Sequence, residues 1–180
     1  MYFYKNYFEL LHKKIAGVDI SLLDQTVDMI KSTIANNRKL IIIGNGGSAA
    51  MASHVTVDLT KNAGIRAINF NEADLITCFA NDYGYENWVS QAIKFYADRG
   101  DLAILISSSG SSKNIINGAK TAKELGLQVI TFSGFNPENQ LRKSGDINFY
   151  VDSKGYNIVE MSHHVWLLAI VDKIIGKIEY

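Results

Sequence analysis

Two groups of residues have the types and spacing to move protons or to hold a metal ion. His54 and Asp58 stand four apart in a stretch with helical spacing. Glu160 is followed by His163 and His164, three and four residues on. Both spacings bring side chains to one face of a helix. A carboxylate beside an imidazole is a general acid–base pair, and His with carboxylate also suits zinc. Either Glu160 with His163 or Glu160 with His164 can join His54 and Asp58 around a divalent metal. The competing reading has the two histidines satisfied by hydrogen bonds at a subunit interface, with equal weight. Taken alone, His54 reads as a packing or capping residue and Asp58 as a surface acid.

A second kind of chemistry lies in two loops. Ile41-Ile42-Ile43 runs into Gly44-Asn45-Gly46-Gly47-Ser48, and a helix-compatible stretch follows at once. Glycines let a ligand approach the backbone, and the free N–H groups of a helix start favour an anion, above all phosphate. Leu102-Ala103-Ile104-Leu105-Ile106 repeats the design with Ser107-Ser108-Ser109-Gly110-Ser111-Ser112. Hydroxyl and backbone donors together can hold a phosphate dianion without a lysine. Two such tips predict one phosphorylated ligand at the carboxyl edge of a sheet. Gly44, Gly46 and Ala49 also fit G-x-G-x-x-A, but Glu72 comes later than the ribose-binding acid of that fingerprint, which follows about 20 residues on. A phosphate cradle therefore ranks first, a bare strand–helix turn second and a dinucleotide site third; no nucleotide cofactor is expected.

These residues need elements to position them. Tyr4, Phe8, Leu11 and Ile15 predict an amphipathic helix over 2–15 that Gly17 breaks. Asp19 and Ser21 offer caps for a second helix with Leu22, Leu23, Val27, Ile30 and Ile34 as its apolar stripe, ended by Asn36-Asn37. Strand 39–43 follows, then a helix to Lys61, a short strand at 66–70 and a short helix from Ala73 to Phe79. Asn81-Asp82-Tyr83-Gly84 reads as a turn, and Tyr85 to Tyr96 as a helix. Strand 102–106, a helix from about Ser112 to Leu125 closed by Gly126, strands at 129–132 and 147–151, and a last helix over 156–175 complete the order. Alternating strands and helices predict an α/β fold, a three-layer sandwich with a mostly parallel sheet between helices, preceded by two N-terminal helices. Residues 1–180 are expected to form one domain. The leading helices, 1–36, have few places to bury their apolar faces and are expected to pack partly on another subunit.

Composition removes other classes. Lys plus Arg and Asp plus Glu number 18 each, and no basic run stands out, which argues against direct nucleic-acid binding. The single cysteine, Cys78, excludes an intrachain disulfide framework and fits a reducing compartment; it is expected to be a buried small hydrophobe. Met1 to Leu11 lacks the pattern of a secretion signal, and no apolar run is long enough for a bilayer. A cytoplasmic protein with no membrane role is expected.

The paired loops resemble those of the sugar isomerase (SIS) domain family, most closely its phosphoheptose isomerase group. His54 with Asp58, the run Ala80 to Tyr85, and Gly126 to Thr131 extend the likeness over nearly the whole chain. The resemblance implies a flavodoxin-like SIS domain and a homotetramer with active sites at subunit interfaces. It implies a cytoplasmic isomerase of sedoheptulose 7-phosphate serving heptose synthesis for the cell surface, working through an enediol. Ser48, Ser107, Ser108, Ser109 and Ser112, with Gly46 and Gly47, would surround the phosphate, and Asn45 and Asp82 would hold sugar hydroxyls. Asp58 stands where the family has a Glu base on or near a zinc ion, so His54, Asp58, Glu160 and His163 are the implied ligands of one Zn2+ per subunit. In the family's last helix a Gln or Glu precedes a His by three residues, and the catalytic His lies eight beyond the first. With Glu160 first, His163 takes the middle place and the catalytic place falls on Leu168, or on Leu167 with a one-residue shift. His163 or His164 is then expected to stand in as the catalytic histidine beside Asp58. The alternatives are a non-catalytic sugar-phosphate-binding or scaffold protein of the replication-initiator-associating type, or an isomerase for another surface-polysaccharide sugar phosphate.

Overall fold

The computed structural model describes residues 2–179. Seven α-helices and five strands alternate as α1 (Tyr2–Ala16), α2 (Ile20–Ala35), β1 (Leu40–Ile43), α3 (Gly47–Lys61), β2 (Ala67–Ile68), α4 (Ala73–Tyr83), α5 (Trp88–Tyr96), β3 (Leu102–Ser107), α6 (Lys113–Glu124), β4 (Gln128–Gly134), β5 (Ile147–Val151) and α7 (Tyr156–Ile175). The strands form one sheet in the order β2-β1-β3-β4-β5. Every pairing is parallel, with Ile41 opposite Ala103 and Ala103 opposite Val129. The sheet is thus wholly rather than mostly parallel.

Burial on both faces explains why β1 and β3 are apolar without alternation. All residues of β1 and β3 are buried. One face packs with α2, α3 and α7 through Leu40, Ile42, Ile104, Ile130, Phe132 and Phe149. The other packs with α5 and α6 through Ile41, Ile43, Ala103, Leu105 and Val129. Helix α7 packs against α1, α2, α3 and the sheet, and its apolar character extends to Met161 and Val165 on the side that stays exposed. The Trp166 indole N–H donates to the carbonyl of Ile15 at 2.9 Å and pins the end of α1 to α7.

Local chemistry sets the ends of the helices. Asp19 caps α2 by accepting from the Ser21 N–H at 2.9 Å. Gly176, in the left-handed region at φ 87°, closes α7. Helix α4 runs to Tyr83 and stops at Gly84, so the turn predicted at 81–84 is the last turn of a helix. Asn81 and Asp82 continue the helix because Gly84, not they, supplies the positive φ of 83° that ends it. Cys78 lies on α4, exposed rather than buried, because the side of α4 that carries it faces outward. No residue of α1 is buried, and Tyr2, Phe3, Tyr4 and Phe8 stand exposed.

The amino-terminal edge of the sheet holds a buried ion pair. The Lys39 ammonium donates to Asp101 at 2.6 Å and to Asp98 at 2.8 Å. Asp101, fully buried, also accepts the backbone N–H groups of Lys39 and Asp98. Removing one partner of such a pair leaves a buried charge, at a cost of about 3 kcal/mol. Lys39→Met is expected to lower unfolding free energy by that amount in urea titration while leaving the distant carboxyl-edge loops intact. A loss under about 0.5 kcal/mol would show that the two N–H donors suffice for Asp101.

Candidate functional site

The strand order reverses between β1 and β3, because β2 lies outside β1 while β4 and β5 extend beyond β3. Ligands of open parallel sheets bind outside the carboxyl ends at this switch point. Both signal loops leave from there. Gly44 is required where it stands: a Cβ would lie 2.6 Å from the backbone of Ser48, so only glycine lets the chain turn straight from β1 into α3. Gly46 follows at φ 54°.

The seryl groups converge as the spacing predicts. Ser48, Ser107 and Ser108 are buried. The hydroxyls of Ser48 and Ser108 are 3.5 Å apart, and Ser107 donates to Ser112 at 3.0 Å. Ser109 accepts from the Ser111 hydroxyl at 2.9 Å. Gly110 packs its Cα against the Asn139 side chain, with no room for a Cβ. Asn139 in turn donates to Ser133, Gly134 and Asn136 and so braces the loop. The result is a cradle of neutral donors at the amino end of α3.

Glu160 reaches into this cradle from α7. Its Oε1 accepts from the Ser108 hydroxyl at 3.2 Å, and its carboxylate lies against the Cα of Gly47. A side chain at 47 would push this carboxylate out of its place. One turn further along, His164 Nε2 lies 3.0 Å from His54 Nδ1. His54 Nε2 lies 3.3 Å from Asp58 Oδ2. With Asp58 ionised, the pattern assigns the tautomers: His164 donates to His54, and His54 donates to Asp58. Desolvation is the main cause that holds the His164 pKa below its ordinary value, with His54 adding to it and Asp58 opposing. The other Asp58 oxygen accepts from Asn62 at 3.2 Å. Helices α3 and α7 run in the same direction, since Gly47 meets Glu160 and His54 meets His164. At 1.5 Å per residue, His54 and Asp58 stand about 9 and 15 Å along α3 from Ser48.

Several predicted residues fall elsewhere. His163 does not line the site. It is fully buried between Phe132 and Trp166, and its Nε2 donates to the carbonyl of Ser133 at 3.1 Å. Residues 163 and 164 differ by about 100° around the helix, so only one of them can face α3. The predicted metal set of His54, Asp58, Glu160 and His163 is therefore not brought together. Among the described residues no three His, Cys, Asp or Glu side chains form a group fit to hold a metal. His54, Asp58 and His164 lie in a line, with both His54 nitrogens turned to neighbours, and do not aim at one point. Asp82 is exposed on α4 and bonded to Asn81 and Cys78 of its own helix. Sequence reasoning missed Asn114, buried in the first turn of α6, whose amide pairs with Asn45.

Burial pushes the His163 pKa down to about 4, the bond to Ser133 opposing. Protonation would also place an N–H at Nδ1, which has no partner. The folded state holds this ring neutral while the unfolded chain protonates near pH 6.5. The contribution to stability is full above pH 6.5 and is lost as pH falls from there towards 4. At about 1.4 kcal/mol per pH unit, some 2 kcal/mol is lost by pH 5. His163→Gln, which keeps a donor for Ser133, is expected to flatten that slope in urea titrations at pH 7 and 5. An unchanged slope would assign the acid sensitivity to other groups.

The model of the SIS domain matches residues 3–134, and the chain belongs to the SIS domain family. Within it, the chain belongs with the phosphoheptose isomerases. It is 32% identical over 170 residues to the phosphoheptose isomerase of Campylobacter concisus, covering 88% of each chain. It is 30% identical over 170 residues to that of Helicobacter pylori strain P12, covering 91% of this chain and 88% of the relative. A solved phosphoheptose isomerase from Francisella tularensis shares the fold with a TM-score of 0.88 over 96% of each chain at 24% identity. Among the described residues no helix is long and apolar enough to cross a membrane.

Proposed function

We propose that the chain is an aldose–ketose isomerase that converts sedoheptulose 7-phosphate to D-glycero-D-manno-heptose 7-phosphate. One observation carries the reading: a phosphate cradle and an Asp58–His54–His164 line share α3, about two to three turns apart. That separation suits a substrate whose phosphate lies at the far end of the sugar from its reacting carbons.

The phosphate binds to Ser48, Ser107, Ser108, Ser109 and Ser112 and to the first N–H groups of α3 over Gly46 and Gly47. Glu160 shares those donors through Ser108 and yields that hydroxyl to the phosphate. Asn45 and Asp82 hold sugar hydroxyls; for Asp82 this requires its carboxylate to leave Asn81. Asp58 takes the proton from C1 of the ketose. His164 turns its Nε2–H from His54 to the C2 oxygen and gives up that proton there, so charge does not build on the oxygen as the enediol forms. Asp58 returns its proton to C2 and the O1 proton leaves through His164, which completes the aldose. His54 sits between the two and holds each in place. A homotetramer that covers the exposed aromatic face of α1, with the site at a subunit interface, belongs to the same proposal.

The test is incubation of the purified protein with sedoheptulose 7-phosphate in deuterated water, followed by NMR. Aldose carrying deuterium at C2 is the expected result. Binding without exchange over long times would refute the isomerase and leave a sugar-phosphate-binding protein.

A further inference from the structure

Asn45 and Asn114 face each other across the switch point. Asn45 Nδ2 donates to Asn114 Oδ1 at 3.0 Å, and Asn114 Nδ2 returns a bond to Asn45 Oδ1 at 2.8 Å. Asn45 belongs to the glycine loop after β1, and Asn114 to the first turn of α6 behind the serine loop. Asn114 is only 2% exposed, while Asn45 lies partly open to the crevice. A third element joins them: the Tyr85 hydroxyl, from the loop between α4 and α5, donates to Asn45 Oδ1 at 3.2 Å. One turn along α6, Asn117 holds that same loop by donating to the carbonyl of Glu86 at 2.9 Å.

A side-chain amide has two acceptor positions on oxygen and two N–H donors. Both acceptor positions of Asn45 are filled, by Asn114 and by Tyr85, and one donor is spent on Asn114. A single N–H remains. We propose that Asn114 and Tyr85 are positioning residues that lock the Asn45 amide so that it presents one donor, and no acceptor, to an oxygen of the bound sugar. The clamp also ties the glycine loop to the helix that follows the serine loop. Binding then selects ligands with an accepting oxygen, a hydroxyl or carbonyl, opposite Asn45. The geometry of the clamp stands on its own; its role with sugar rests on the isomerase reading.

Two measurements separate these levels. In the ligand-free protein, the Asn45 side-chain NH2 resonances are expected to be ordered and slow to exchange. Asn114→Ala and Tyr85→Phe should each loosen them; unchanged ordering in Asn114→Ala overturns the clamp whatever the substrate. The second measurement is affinity for sedoheptulose 7-phosphate and, separately, for inorganic phosphate. Asn114→Ala is expected to weaken the sugar phosphate about tenfold, roughly one hydrogen bond's worth. Tyr85→Phe, which removes only an exposed hydroxyl, should weaken it about threefold. Inorganic phosphate should change less than twofold. In an Asn45→Ala background the Asn114 effect should vanish, because it acts through Asn45. Additive losses, or equal losses for both ligands, would make Asn114 a structural residue and overturn the proposal. Asn45→Asp with wild-type sugar-phosphate affinity would overturn it too, since an acid anion has no donor. Wild-type protein that fails to bind sedoheptulose 7-phosphate would refute the substrate, and the ordering measurement would still decide the clamp.

Discussion

Asp58→Asn is expected to lower kcat for isomerisation about a thousandfold, in the middle of the range that general acid–base groups contribute. The amide has the size of the carboxylate but cannot accept the C1 proton. KM should change less than about threefold, because the phosphate cradle lies some 15 Å along α3. Stability should move little, since asparagine keeps the size of Asp58 and one of its two acceptor positions. One donor would lose its acceptor: His54 and Asn62 each use an Asp58 oxygen, and asparagine offers only one. Exchange of the C1 proton in deuterated water should fall in parallel with turnover. Asp58→Glu tests whether reach or charge matters. Its extra methylene shifts the carboxylate by about an ångström, which costs a misplaced base about a hundredfold. It should still exceed Asp58→Asn by at least about tenfold. An asparagine variant that keeps a tenth of wild-type turnover would remove Asp58 from the chemistry.

How far the sequence reveals this site depends on the range of the interaction. The strand–loop–helix units are local. Gly44 must be glycine because of a residue four positions on, and the Ser107–Ser112 loop carries its donors within six residues. Such features are legible in the chain itself. The pairing of Asn45 with Asn114 spans 69 residues, and no local pattern marks it. Asn114 reads only as a polar residue in a first helical turn. The choice between His163 and His164 needs the azimuth of α7, and an apolar helix with little amphipathic contrast does not give one. Asp82 illustrates the reverse case. Asn-Asp two residues before a glycine is good turn chemistry, but α4 extends through both residues because Gly84 alone provides the exit. The exposed aromatics of α1 follow the same logic: helical spacing is plain in the sequence, while what covers the face lies outside one chain.

His164→Gln is expected to lower kcat about a hundredfold with KM nearly unchanged. The amide can still donate to His54, so the line on α3 stays in place, but it cannot exchange a proton with the sugar oxygens. His164 occupies the face of α7 that also carries Glu160, one turn earlier, and it lies level with His54. Leu168, one turn later, is partly buried and packs against the core. An acid at 164 stands about 6 Å nearer the phosphate cradle than one at 168 would. In the proposed mechanism the sugar bends towards α7, bringing its C2 oxygen to His164 while C1 faces Asp58. Two consequences distinguish this from a merely structural histidine. Carbon–hydrogen exchange should slow together with isomerisation, because without the acid the negative charge that reaches the C2 oxygen as C1 loses its proton is left unneutralised. Added imidazole should restore part of the activity of His164→Ala, whose missing ring leaves room beside His54, and should restore none to Asp58→Asn. Full turnover in His164→Gln would hand the oxygen's proton to water and leave His164 as a support for His54.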